Sequence, residues 1–403
     1  MKNYKISLDT LILAICILGF LKPPFTIVYP KLDLFFNSFR IVSLALVIIY
    51  FFSKKIRVSY FSKLLIVFEL FLIVCTYYRN GNTVQALISA LTIIGEVILF
   101  EIAIKSGKKK FINFIDFLTT VLSIYVVLNI LSIIFLPEGF TVTENNTPLY
   151  FLGIHNRFAF WMIPLISLSC LSSYLKKGKL KIRQYVIHML CLLTLINRNA
   201  TGAVISVLFF YVFIIFIQKN KAKWADYRIY LLIYLIIWLG FTFFGFLDAF
   251  SWLTVNFLKK SGSLEARLSL WEKGKMYLTK DISHLLFGYG LESDSILKQK
   301  FWYSHLHNNL LNIIYQTGII GGVLYCLPFS VLIIPFKKYK YNNVCRILSF
   351  SIFIFLIMLL VDTYDLYGHF YILGVIGGNI DYLLQREEVK ITTERDVRKY
   401  EYI

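Results

Sequence analysis

Long apolar runs separated by short polar links recur from one end of the chain to the other. Because a helix that crosses a membrane needs about 20 mostly apolar residues, this pattern predicts an all-α integral membrane protein with about 12 transmembrane helices. Two of the runs, residues 39–52 and 185–196, are short for this purpose. The predicted spans are residues 8–25, 39–52, 61–77, 84–104, 111–136, 151–175, 185–196, 200–217, 229–247, 308–336, 347–361 and 369–384.

Lysine and arginine residues concentrate in every second link between the apolar runs. The basic links are residues 54–57, 105–110, 176–183, 219–228 and 337–346. Basic links remain on the cytoplasmic side when helices insert into a membrane. The alternation therefore predicts that both termini are cytoplasmic, that residues 385–403 form a charged cytoplasmic tail, and that the other links, residues 22–38 among them, are extracytoplasmic.

Composition supports a single polytopic membrane domain over residues 1–403. The chain is 58% hydrophobic and only 16% charged, with a mean hydropathy of +0.68, whereas a soluble protein carries roughly 25% charged residues. The net charge of +19 lies mostly in the links between apolar runs, so it reflects membrane orientation and predicts no nucleic-acid partner. The six cysteines are scattered without a Cys-x-x-Cys pair, which is typical of small hydrophobic residues.

The longest polar stretch, residues 248–307, lies between the ninth and tenth predicted spans. It is the one predicted extracytoplasmic loop that is long enough to contain helices of its own. Residues 266–276 have a helical composition, and Ser263 is a suitable N-cap for them. We expect this loop to carry part of the functional site, because it places polar residues beside the apolar scaffold.

Two histidines close that loop. His305 and His307 are two positions apart, so on a helix their side chains point to nearly opposite sides. Neither has a third or fourth metal ligand nearby in the sequence, and no metal site is predicted. Satisfied interfacial histidines are one interpretation. The other concerns His307, which precedes the predicted helix of residues 308–336, because the positive end of a helix favours a neutral imidazole that can act as a general base.

Three arginines lie at the edges of apolar runs or in the long loop: Arg157, Arg198 and Arg267. Arginines in such positions often extend toward lipid phosphates. The functional alternative is that several of them converge on a diphosphate, which guanidinium groups bind through two parallel hydrogen bonds. Asp362 and Asp365 flank the last predicted outer loop, and the sequence leaves open whether they orient a base or balance the arginines.

Gly288-Tyr289-Gly290 shares its letters with the filter of potassium channels, which is built from backbone carbonyls. Here the motif occurs once and lacks the Thr-Val that precedes it in those channels. It is better interpreted as a glycine-rich turn, in which backbone N–H groups are able to approach a ligand.

The order of these motifs resembles the signature of the O-antigen polymerase and O-antigen ligase superfamily. That signature has an Arg and a Trp before a Gly-x-Gly turn, then a His-Asn or His-Ser pair, a Leu three positions later and glycines in the next helix. The corresponding residues here are Arg267, Trp271, Gly288, Gly290, His307, Asn308, Leu311 and Gly318. Residues 197–202 and 153–156 match two further family segments more loosely, with Asn197 in place of a Ser and His155 in place of a Pro.

The resemblance implies glycosyl transfer outside the cytoplasm, from a polyprenyl-diphosphate-linked oligosaccharide to a sugar hydroxyl, in the cytoplasmic membrane of a bacterium. It implies that His307 removes the proton of the acceptor hydroxyl and that Arg267 and Arg198 bind the diphosphate. Asn308, Trp271, Gly288, Gly290, His305 and Arg157 are the candidate supporting residues. No cofactor is implied, and the expected partners besides the lipid bilayer are a flippase and a chain-length regulator.

Three functions remain open. The first is a polymerase that joins lipid-linked repeat units into capsular, exopolysaccharide or O-antigen chains. The second is a ligase that transfers finished glycan to a lipid or wall acceptor, and the third is a polysaccharide flippase or transporter without covalent chemistry. The long outer loop argues against the third, because a flippase has less need of a large one-sided segment. Neighbouring genes for sugar transferases and a flippase would favour the polymerase.

Overall fold

The structure is a computed structural model, and it describes residues 8–143, 146–197, 201–218, 226–246, 263–363 and 368–384. Arg198, Asp365, residues 248–262 and the tail 385–403 lie outside the described residues. The described α-helices are α1 Leu8–Phe20, α2 Pro30–Lys54, α3 Tyr60–Tyr78, α4 Thr83–Lys105, α5 Lys108–Phe135, α6 Phe158–Lys177, α7 Ile182–Asn197, α8 Thr201–Gln218, α9 Tyr227–Phe243, α10 Ser263–Leu278, α11 Ile282–Phe287, α12 Asp294–Phe301, α13 Asn309–Val331, α14 Ile333–Lys338, α15 Asn343–Met358 and α16 Tyr371–Gly378.

Helices dominate the described chain, as the apolar runs predict. Within those residues, six helices are long and apolar enough to cross a membrane: α2, α3, α4, α5, α6 and the α13–α14 pair. Five shorter apolar helices lie in α1, α7, α8, α9 and α15. This architecture is consistent with a polytopic membrane protein, and the number of about 12 spans stays a prediction.

Burial separates central helices from peripheral ones. The apolar window of α6 is fully buried and that of α4 is 78% buried, whereas only 11% of the window of α2 is buried. Exposed apolar side chains such as Ile41 and Ile49 on α2 form the surface that lipid would cover. The helix α3 packs along α13, and this pair supports one side of the site described below.

Helix α2 begins earlier than the sequence predicts. The expected span was 39–52, with residues 22–38 as a link, but the helix starts at Pro30. The polar residues of its first turns satisfy one another, because the Lys22 ammonium lies 2.5 Å from Asp33 and donates to the Asn37 carbonyl oxygen at 2.9 Å. Charge pairing thus permits a helix where hydropathy alone indicated a link.

Helix α6 begins later than the predicted span 151–175. Strands β1 (Thr141–Val142) and β2 (Pro148–Leu149) pair antiparallel before it, and a 3₁₀ turn covers His155–Arg157. Side chains of α5 hold this irregular segment, since the Leu152 N–H donates to the Asn129 side-chain oxygen at 2.9 Å. The small hairpin is the one departure from an all-α fold among the described residues.

The predicted span 308–336 is interrupted. Gly318 has φ 69° and ψ −174° inside α13, so the helix breaks there, and it ends at Val331 before the short α14.

The long loop that precedes α13 contains the helices α10, α11 and α12. Helix α10 covers the predicted helix of residues 266–276. An apolar cluster that includes Leu270, Phe301 and Tyr315 attaches this part of the loop to the start of α13.

Candidate active site

The centre of the site is the histidine segment, residues 305–308, which connects α12 to α13. Two contacts hold its middle. The buried indole of Trp271 donates to the Leu306 carbonyl oxygen at 2.8 Å, and the Leu306 N–H donates to the Asn312 side-chain oxygen at 3.2 Å. Trp271, on α10, therefore supports the backbone of the histidine segment, and this contact forms without a ligand.

Asn308 ends the segment and caps α13. Its side-chain oxygen accepts from the Leu311 N–H at 3.1 Å, as an N-cap does, and also from the indole of Trp238 at 3.0 Å. Its amide donates to the Thr242 hydroxyl at 3.2 Å. All of these groups are buried, so Asn308 fixes the direction in which the preceding His307 leaves the helix. Trp238 and Thr242 were not identified from the sequence, because a polar side chain within an apolar run gives no signal of its partner.

The two histidines touch each other. Their ring centroids are 4.1 Å apart, and the His307 N–H donates to Nδ1 of His305 at 3.3 Å. The expectation that they point to opposite sides is wrong, because the segment is not helical. His307 has φ 49°, a left-handed conformation that side chains other than glycine adopt at a cost and that is concentrated at functional sites.

Asp362 lies beside His307. Its Oδ1 is 3.8 Å from Nδ1 of His307, which is an ion-pair distance and too long for a direct hydrogen bond. Nδ1 of His307 is buried and has no hydrogen-bond partner among the described residues. A carboxylate on this side favours the tautomer with the proton on Nδ1, which leaves the lone pair of Nε2 available as a base. The sequence left open whether Asp362 orients a base or balances the arginines, because its contact with His307 joins distant parts of the chain.

Arg157 and Arg267, two of the three candidate arginines, are close enough to act electrostatically on His305 and Asp362. Burial lowers the pKa of His305 to about 3, and His307, Arg157 and Arg267 lower it further while Asp362 opposes them. His305 is therefore neutral. Burial also lowers the pKa of Arg267, against the attraction of Asp362 and Tyr303. A half-buried guanidinium of this kind gains stability from an anion that replaces the lost water.

The carboxylate is ionised despite its surroundings. Burial acts to raise the pKa of Asp362, but His307, His305 and Arg157 favour the charged form and the pKa stays below its ordinary value. The site thus combines two permanent positive charges with one negative charge. The structure brings together His305, His307, Arg157 and Arg267, whereas Arg198 lies outside the described residues.

The three side chains His305, His307 and Asp362 also satisfy the geometric condition for a metal group. Their ligand atoms all lie within 4.8 Å of one another. The prediction of no metal site rested on the absence of a third ligand in the nearby sequence, and the fold supplies one. Arg157 and Arg267 act on the same groups, and their positive charge disfavours a cation there.

Gly288 and Gly290 form a turn, as predicted, and its N–H groups are occupied. The Tyr289 and Gly290 N–H groups donate to the carbonyl oxygens of Tyr315 and Gln316 at 2.9 and 2.8 Å. The break at Gly318 releases these carbonyls from the α13 ladder. A Cβ at Gly288 would lie 2.4 Å from the Gln316 carbonyl carbon. The turn therefore joins the loop to the broken helix, backbone against backbone, and these N–H groups are not free for a ligand.

The fold and the site together define a polytopic helical membrane protein with a histidine–aspartate pair beside two arginines. Residues 186–326 match the family model described as O-antigen ligase. The match confirms the resemblance to the O-antigen polymerase and ligase superfamily, whose members are glycosyltransferase-like enzymes of ligase or polymerase type. It spans α7 to α13 and includes Arg267 and His307, while Arg157 and Asp362 lie outside it. A comparison with curated proteins gives no match.

Proposed function

We propose that the protein is a polysaccharide polymerase, which joins polyprenyl-diphosphate-linked oligosaccharide repeat units into capsular, exopolysaccharide or O-antigen chains. The observation that carries this proposal is the placement of His307 between Asp362 and His305, with Arg157 and Arg267 acting on the same group. Base and anion-binding groups within one small space are what glycosyl transfer from a diphosphate-linked donor requires.

In this mechanism the donor diphosphate binds at Arg267, with Arg157 and the predicted Arg198 as further partners. Nε2 of His307 accepts the proton of an acceptor sugar hydroxyl. The hydroxyl oxygen forms a bond to the anomeric carbon of the donor as the bond from that carbon to the diphosphate oxygen breaks. The electron pair leaves with the lipid diphosphate, whose added charge the arginines stabilise.

We place this reaction on the outer side of the cytoplasmic membrane. The basic links supply Lys54, Arg57, Lys105 and Lys110 to one cavity, so they meet at one end of the bundle. Helices α13 and α14 run from the histidine segment at their start to Lys338, in another basic link, at their end. The site and the basic end are thus at opposite ends of these helices, as the positive-inside rule requires for an outer site.

The decisive experiment complements a deletion strain with His307→Ala and analyses both polymer and lipid-linked intermediates. Loss of a general base lowers the rate by about 10²–10⁴-fold, so we expect no visible polymer and accumulation of single lipid-linked repeat units at normal protein levels. His284→Ala, in the same loop, is the matched control and should produce normal chains. Long chains from His307→Ala at normal expression would refute the assignment of the base.

The same experiment tests the alternatives. If the protein is a ligase, the function described for the matched family model, His307→Ala leaves full-length glycan attached to the lipid carrier instead of single units. If it is a flippase without covalent chemistry, single repeat units accumulate on the inner side. Protection of the accumulated glycan from an external glycosidase separates this outcome from the polymerase.

A further inference from the structure

A cavity of about 420 Å³ lies beside the histidine segment and is lined by residues of α3, α4, α12 and α13 and by Tyr371 at the start of α16. Ser304 and Asn309, which flank the segment, both line it. None of the five charged or histidine side chains of the proposed reaction centre does. Its volume is within the range of small-molecule sites, so it is large enough to hold a ligand beside the proposed reaction centre.

The cavity extends well below the α3–α4 loop. Asn82 of that loop lines it, and so does Glu69, which lies nine residues before the end of α3 at Tyr78. At 1.5 Å per helical residue this separation is about 14 Å. A polar cavity of this depth is unusual in a membrane bundle, where ionisable residues mark functional sites by default.

Glu69 lacks a partner for one of its oxygens. Its side chain is 1% exposed, and Oε2 has no hydrogen-bond partner in the described part of the chain. A buried polar group without a hydrogen bond is costly. Because Glu69 lines the cavity, a ligand with a hydroxyl or ammonium group is able to supply the missing contact.

The other lining side chains suit a hydroxyl-rich ligand. Amide and hydroxyl groups of Gln85, Ser89 and Gln316 offer both donors and acceptors. Phe68 and Ile93 provide apolar surface for the C–H face of a sugar ring. Polar and apolar groups thus line the same space, as a molecule with both kinds of surface requires.

Charge limits the kind of sugar. Three acidic side chains line the cavity, Glu69, Glu292 and Asp294, and none of its described lining residues is Lys, Arg or His. Glu292 already has two partners, because the Lys300 ammonium lies 2.6 Å from its carboxylate and the Tyr315 hydroxyl donates to it at 2.7 Å. Asp294 has no counter-charge among the described lining residues, so a sugar carboxylate or sulfate beside it would meet like charge.

We propose that this cavity is a saccharide subsite that accepts a neutral or amino sugar of the glycan substrate and excludes acidic sugars. The inference rests on the proposed function for the identity of the substrate, and it deepens it by naming the sugar class. The position of Ser304 and Asn309 places the bound sugar next to the histidine segment. Glu69 contacts a hydroxyl or amino group of that sugar.

The test measures binding to purified wild-type protein in lipid nanodiscs by saturation-transfer NMR. The probes are the methyl glycosides of glucose, N-acetylglucosamine, glucosamine and glucuronic acid. We expect transfer to at least one of the first three and none to the glucuronide. Ser89→Phe fills the cavity and should abolish the signal, whereas Ser89→Ala keeps the space and should retain it. Glu69→Gln, which keeps the size of the side chain and removes the acid, should weaken glucosamine binding by about tenfold, the usual effect of losing one hydrogen bond.

If Ser89→Phe does not accumulate in the membrane, Gln85→Leu takes its place as the test variant. Gln85→Leu removes a polar lining group nearer the α3–α4 loop and adds no bulk. The proposal would be overturned if the glucuronide binds to the wild type and Ser89→Phe or Gln85→Leu removes that binding. It would also be overturned if none of the other three glycosides binds. His307→Ala, which changes no lining residue, should bind the glycosides as the wild type does. Normal binding with normal polymer from His307→Ala would refute the proposed function and leave the subsite standing.

Steady-state kinetics with lipid-linked repeat units separate the two sources of the sugar. If the cavity holds the acceptor chain, Gln85→Leu raises the KM for the acceptor and leaves that for the donor unchanged, whereas Ser89→Ala changes neither. If it holds the donor glycan, the KM for the donor rises instead. Unchanged KM values for both substrates in Gln85→Leu would contradict the proposal.

Discussion

Nδ1 of His307 lies 3.8 Å from the Asp362 carboxylate, although the two residues belong to segments before α13 and after α15. A backbone hydrogen bond from the Asn309 N–H to the Leu359 carbonyl oxygen, 2.9 Å long, joins those helix ends. The pair is thus held by the scaffold and not by direct hydrogen bonding. This relationship makes Asp362 a positioning residue whose effect can be measured.

Asp362→Asn should reduce polymer formation by about 10²-fold, because the neutral amide no longer favours the His307 tautomer with Nε2 free. Initial rates with a lipid-linked repeat unit provide the measurement. We expect kcat to fall while the KM for the donor stays nearly constant, since Asp362 does not bind the diphosphate. Asp362→Glu keeps the charge and should restore part of the rate. A fall in both variants with a matching loss of folded protein would indicate a purely structural role.

Arg267→Lys should lose most activity although it keeps the positive charge. An ammonium group cannot make the two parallel hydrogen bonds that a guanidinium makes to a diphosphate, and a charged hydrogen bond contributes about 1.5–3 kcal/mol. We expect a rise of about 10–100-fold in the KM for the donor. Arg57→Lys, in a basic link, is the control and should behave as the wild type. Normal donor affinity in Arg267→Lys would mean that Arg267 is not a phosphate ligand.

His305 should make stability depend on pH. Burial lowers its folded-state pKa to about 3, below the unfolded value of about 6.5. Between these values the unfolded chain binds a proton that the folded chain does not, so stability falls as the pH is lowered from about 6.5 toward about 3, by up to about 1.4 kcal/mol per pH unit. Above about pH 6.5 the effect is absent.

The measurement is the thermal unfolding midpoint of the purified protein between pH 7 and pH 4. His305→Asn does not titrate and offers an oxygen to the His307 N–H. It should show a smaller loss than the wild type on acidification. Identical pH profiles of the two proteins would show that His305 is not a buried neutral histidine.

Gly318→Ala should strongly reduce folded protein. Its φ of 69° is unfavourable for alanine, and the new Cβ would lie 2.1 Å from the Leu286 carbonyl carbon. Gly178→Ala is the matched control: Gly178 has φ 66° with no atom within 4 Å of the added Cβ, so it should cost only about 1–2 kcal/mol. Size-exclusion profiles of fluorescent fusions compare the two. Equal accumulation would mean that the contact between the Gly288 turn and α13 is not essential for folding.

The sequence by itself determined the elements that depend on local composition. Apolar runs of helical length identify most of the helices, because a membrane-spanning segment must be apolar over its whole length. The helix at α10 and the turn at Gly288 were likewise visible, since Ser263 and the two glycines have strong local preferences. The family motifs singled out Arg267 and His307, and their roles stay predictions.

Only the tertiary structure decided which of these residues meet. The contacts of His307 with His305 and Asp362 depend on a non-helical segment and on the packing of α13 against α15, and no local pattern encodes either. The break at Gly318 is similar. A glycine in an apolar helix is common, and only the structure shows that the backbone of Leu286 and Phe287 packs directly against this one. Glu69 lies within an apolar run and gives no local signal, and the cavity around it exists because residues of five helices assemble there.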